Sequence, residues 1–163
     1  MVISVNNKLA KEYTARIVQA SSTELVVIIY ELIIKEIELA KEKFEAENQD
    51  GFIRSLKSGQ FFLAHLMESL DYQYKMSYDL LGLYLYVNRN FVNAICKLDP
   101  KELKNSKSII DKLKDGFEGI KGEDKSGPVM ENAQQVYAGL TYGKGKLNEV
   151  NVDSKDINRG YKV

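Results

Sequence analysis

The imidazole and the thiol, the side chains most readily used for acid–base, nucleophilic and transition-metal chemistry near neutral pH, each occur once in this sequence. His65 is the only histidine and Cys96 the only cysteine in 163 residues. A di-iron site in a helical protein needs Glu-x-x-His on two helices. The residue three before His65 is Phe62, so that motif is missing, and His65 reads as a surface or rim histidine. Cys96 has no histidine in its own helical segment to take the thiol proton, and its place on an apolar stripe predicts a buried, inert thiol. The stretch Gly139-Leu-Thr-Tyr-Gly143-Lys144-Gly145 is one residue short of a phosphate-binding loop, and no Ser or Thr follows its lysine. The sequence therefore predicts no enzyme, no metal and no cofactor. What remains is binding through apolar and aromatic side chains at helical spacing.

The binding candidates fall into three groups. Leu25, Ile28 and Leu32 form a second apolar stripe beside the main one on a long helix. Leu81, Leu85, Val92 and Cys96 do the same on a later helix, with Arg89 on the same element, open between an ion pair inside the fold and a partner contact. Tyr13 and Ile17 lie near the N-terminus, where closing a core does not require them. Stripes wider than a surface helix needs are either buried on two sides or offered to a partner helix.

Four helices must position these residues. The first spans about 22–47, opened by Ser21 and Glu24 at capping-box spacing. Val26, Ile29, Tyr30, Ile33, Ile37, Ala40 and Phe44 make its core face. Glu31, Lys35 and Glu36 break the apolar run well short of the ~20 residues of a bilayer span. A second helix, 51–73, starts behind Asp50 and buries Leu56, Leu63, Leu66 and Leu70, with Gly59 tolerated if a neighbouring backbone comes close. A third, 76–98, buries Leu80, Tyr84, Val87, Phe91 and Ile95. Asp99-Pro100-Lys101-Glu102 ends it and caps a fourth, 100–121, which carries Leu103, Ile110, Leu113 and Phe117 and stops at Gly122. The expected fold is all-α: an antiparallel four-helix bundle over 21–121, with an N-terminal arm (1–20) and a C-terminal extension (122–163). The arm can form a short helix on Leu9, Tyr13 and Ile17 behind Asn6 or Asn7. In the extension, Met130, Val136, Tyr137 and Leu140 allow one short docking helix before a flexible end. Neither segment has enough anchors to be stable alone, so each is expected to dock, the arm over part of the apolar stripe.

Composition narrows the partners. Lysine plus arginine equals aspartate plus glutamate at 23 each, which gives no electrostatic reason to expect nucleic acid or an anionic membrane. A single cysteine cannot form an internal disulfide, and the first residues lack the layout of a signal peptide. The chain reads as cytoplasmic. Surplus apolar surface also allows a homodimer.

Several motifs in order carry a family resemblance. Tyr13, then Gln19-Ala20-Ser21-Ser22-Thr23-Glu24-Leu25 and Tyr30, resemble the opening of the FliS-type flagellar export chaperones. Leu83-Tyr84-Leu85-Tyr86-Val87-Asn88-Arg89 is similar to that family's Leu-Tyr-x-Tyr-Met-x-Arg run, and Lys114-Asp115-Gly116-Phe117 to its Arg-Asp-Ala-Trp. Ser22 stands for the family's proline, Leu85 for an Asp, Asn90 for a second Arg and Phe117 for the Trp. The resemblance covers about residues 9–120. It implies a helical bundle that binds the C-terminal segment of flagellin in the cytoplasm, blocks premature polymerisation and presents the subunit to the flagellar export apparatus.

Overall fold

A computed structural model describes residues 2–130, with side chains described from Ala10 onward. It contains five helices: α1 (Val2–Gln19), α2 (Ser22–Glu45), α3 (Gln49–Glu68), α4 (Lys75–Lys97) and α5 (Leu103–Ile120). A 3₁₀ turn, Lys121–Glu123, follows. No strand occurs among the described residues.

α2 begins where its sequence signal lies. The Glu24 amide donates to Ser21 Oγ at 3.3 Å, and the Ser21 amide donates to the Glu24 carboxylate at 3.1 Å. The other ends are corrected by the structure. α1 runs through Asn6 and Asn7 rather than starting behind them. α3 is capped by Asn48, whose Oδ1 accepts from the Gly51 amide at 2.8 Å, and not by Asp50. The chain turns there in three residues, with Glu47 in the left-handed region (φ 56), so the cap falls earlier. α3 stops at Glu68, several residues before the expected 73. Asp99 accepts from the Lys101 amide in a local turn, so α5 starts only at Leu103, and Gly122 lies inside the 3₁₀ turn.

α2 and α4 are each flanked by α3 and α5, so they face one another across the core. Tyr30, Ile33 and Ile37 of α2 meet Phe52, Leu56, Leu63 and Leu66 of α3, Tyr84, Val87 and Phe91 of α4, and Leu103 and Ile110 of α5. Tyr30 and Tyr84 share a hydroxyl–hydroxyl hydrogen bond in this core. It satisfies two polar groups that burial would otherwise leave unpaired. Burial, and then the neighbouring Tyr84, push the Tyr30 phenol far above its ordinary range. Phe117 closes on the Tyr30 ring edge-on at 5.6 Å. Leu113 and Phe44, expected in the core, are respectively half-buried and 40% exposed.

Gly59 has a different neighbour from the one expected. A Cβ there would stand 2.8 Å from the ring of Phe91, a fully buried side chain, so an aromatic ring fills the space and not a backbone. Gly82 of α4 has open space around it. Gly59→Ala is therefore expected to lower stability by about 1–3 kcal/mol through overpacking, despite alanine's better helix propensity. Gly82→Ala should raise it by about 0.5–1 kcal/mol. Urea denaturation of the two variants checks the opposite signs.

Candidate functional site

The residues expected to bind a partner divide between two surfaces. On α4 the side facing away from the core carries Tyr78, Leu81, Leu85, Arg89, Val92 and Cys96, spaced three or four apart. Tyr78 is 59% exposed, Leu85 49% and Val92 42%, while Leu81 is half-buried. Leu83 is also exposed, as are Met76 and Tyr86. Cys96 is exposed as well and not the buried thiol expected of it, because its stripe looks outward. Arg89 has no acidic side chain within ion-pair distance among the described residues. Asn90, one of the departures from the FliS pattern, points inward and donates to Ser106 of α5 at 3.1 Å.

The α2 stripe meets α1. Leu25 and Leu32 are half-buried, whereas Ile28 is only 2% exposed and so is not open to a partner in this arrangement. Tyr13 and Ile17 are half-buried on α1. Tyr13 and Leu32 line a 450 Å³ groove together with Ala10, Lys35, Glu36 and Leu39. Ile28 lines a second cavity of 310 Å³ with Arg16, Ala20, Glu24 and Lys121. Since α2 and α4 face one another across the core, the outer stripes on them do not converge into one site.

Polar residues that the stripes alone do not reveal hold α1 in place. Arg16 pairs with Glu31 through both terminal nitrogens, at 2.7 and 3.0 Å. The Tyr13 ring has Lys35 Nζ 4.8 Å and Arg16 Cζ 5.4 Å from its centroid. The Arg16 hydrogen bond holds the Glu31 carboxyl below its ordinary range, and burial followed by Glu31 raises the Tyr13 phenol. The only sequence hint is spacing: Tyr13 and Arg16 are three apart, Glu31 and Lys35 four.

The segment after α5 returns to the start of α2. Asp124 accepts from the Thr23 amide at 3.0 Å, adding a second cap beside Ser21, and Ser126 donates to the same carboxylate. The Val129 amide donates to Ala20 O at 3.1 Å. Hydrogen bonds from Ser126 and then Thr23 hold the Asp124 carboxyl well below its ordinary 3.8. A depressed folded-state value adds stability that is fully present above 3.8 and lost as pH falls further. Asp124→Asn should therefore be less stable than the parent chain at pH 7, with the gap closing below about pH 4 in acid denaturation. Of the residues expected to form a docking helix in the extension, Met130 is exposed, and Val136, Tyr137 and Leu140 lie outside the described residues.

The described residues contain no cluster of His, Cys, Asp and Glu able to hold a metal ion. None of the described helices is long and apolar enough to cross a membrane. A comparison with curated proteins gives no match. A family model described as flagellar protein FliS matches residues 5–124. That span takes in the helical bundle, the apolar outer side of α4 and the Tyr13–Leu25 opening, so the chain belongs to the FliS family of flagellar export chaperones.

Proposed function

We propose that this protein is a cytoplasmic, non-catalytic chaperone for the C-terminal segment of a flagellin. It keeps that segment from polymerising early and delivers it to the flagellar export apparatus, without nucleic acid, membrane insertion or any cofactor. In this reading α2–α5 form an antiparallel four-helix unit (21–121), α1 is an accessory arm (1–20), and 122–163 is an extension. The observation that supports it most is the outer side of α4. Exposed apolar residues recurring at three- and four-residue spacing along one helix of a family member are what a helix-in-groove contact uses. Leu81, Leu85, Arg89 and Val92 supply that contact. Tyr13, Ile17, Leu25, Ile28 and Leu32 form a second contact, where α1 covers α2 until a client displaces it.

Titration of the full chain with a flagellin C-terminal peptide is expected to show binding with a negative heat-capacity change. No heat and no spectral change with any flagellin from the same cell would refute the assignment. The exposed α4 face also supports the second reading, a homodimer through that face. Sedimentation at micromolar concentration separates the two: a client complex forms from monomers, whereas a homodimer is present before the peptide is added.

A further inference from the structure

α1 is held by a forked ion pair and by an aromatic ring with two cations close to it. Glu31 is the more buried member of the pair, with its side chain 21% exposed against 41% for Arg16. The acid is built into the body of the bundle, and the arginine arrives on α1. Without α1, Glu31 keeps only lysines nearby: Lys35 one turn on, and Lys114 of α5 acting at longer range. Neither lysine makes an ion pair with it here, and a lysine cannot reproduce the two parallel bonds that a guanidinium gives a carboxylate. A wholly apolar helix laid in the place of α1 would cover a partly buried carboxylate and leave it unpaired, which opposes binding. Space beside Tyr13 is also left over, because Ala10 is too small to fill the groove it lines.

We propose that Glu31 and Lys35 select the helix that replaces α1: an amphipathic helix with an aromatic residue, an arginine three positions later and an aliphatic residue next to it. That is the pattern of Tyr13, Arg16 and Ile17, and a larger side chain at the Ala10 position would improve on it. The inference rests on the reading that a client takes the place of α1 on α2. Arginine at that register makes the contact a test of sequence as well as of apolarity.

The test uses full-length chains carrying Arg16→Ala or Glu31→Gln, both partly exposed sites, with folding confirmed by circular dichroism. The first probe is a capped synthetic peptide of residues 8–20. The R16A chain should bind it about tenfold more tightly than the parent chain does, and an Arg16→Glu change in the peptide should abolish that gain. The doubly substituted R16A/E31Q chain should lose it too. Binding to R16A that ignores the charge of the peptide, or ignores Glu31, overturns the proposal.

The second probe is a flagellin C-terminal peptide. R16A should bind it more tightly than the parent, and E31Q more weakly, although both loosen α1. If both variants tighten flagellin binding alike, Glu31 only fastens the arm: the proposal fails and the flagellin reading stands. If flagellin binds none of the chains while the arm peptide shows the Glu31 dependence, the flagellin reading fails and the recognition chemistry stands. A parent chain that sediments as a dimer and becomes monomeric with R16A makes the occupant a second copy, and overturns the assignment to a client.

Discussion

Leu85→Asp is expected to weaken flagellin-peptide binding about 30-fold or more while changing the unfolding free energy by less than about 0.5 kcal/mol. Leu85 is half exposed in the middle of the outer side of α4, so a carboxylate there stays solvated in the free protein. In a complex it would be desolvated against apolar groups, at a cost of a few kcal/mol. Val92→Asp, one residue type and two turns along the same face, should act alike. Calorimetry for binding and urea denaturation for stability read the two effects separately. Unchanged affinity in both variants would remove α4 from the client surface and leave α2 as the contact.

The opposite pattern is expected in the core. Ile33→Ala should lower stability by about 2–5 kcal/mol, because Ile33 is fully buried and its neighbours Tyr30, Ile37 and Phe52 are held by packing on every side. Leu113→Ala should cost less, since Leu113 packs against the core only from its edge. A loss of this size is a large fraction of the stability of a domain this small, so client binding should fail only at temperatures where the variant unfolds. Thermal denaturation with and without the peptide would show that link. An Ile33→Ala chain that melts with the parent would mean that the core has been wrongly assigned.

The helices were legible because their apolar positions keep a period near 3.6 over five or six turns, and Ser21 and Glu24 announce one start. Their ends were less so. Asn48 and Asp50 are chemically equivalent caps two residues apart, and only the tight turn through Glu47 decides between them. Leu98 ends α4 in the left-handed region (φ 49), a conformation usually signalled by glycine. Periodicity also shows that a stripe exists without showing which way it looks. Leu83 sits one position, or 100°, from the buried Tyr84, and Cys96 lies on the stripe opposite Phe91. Both therefore reach solvent, although Cys96 was expected to be buried. The Arg16–Glu31 pair was invisible for a different reason: it joins two helices, and helical spacing reports only on neighbours within one.

The attachment of α1 has a consequence for how the chain is made. Arg16 and Glu31 are 15 residues apart, whereas Thr23 and the Asp124 that caps its helix are separated by 101. The entropy of closing a loop grows with its length, and Asp124 cannot act before it has been synthesised. During synthesis the arm can settle on α2 as soon as that helix leaves the ribosome, before α4 or α5 exists. Ile28 and Leu32 on the newborn chain then have a cover from their own N-terminus. The segment proposed to give way to a flagellin would thus serve first as this protein's own guard against aggregation.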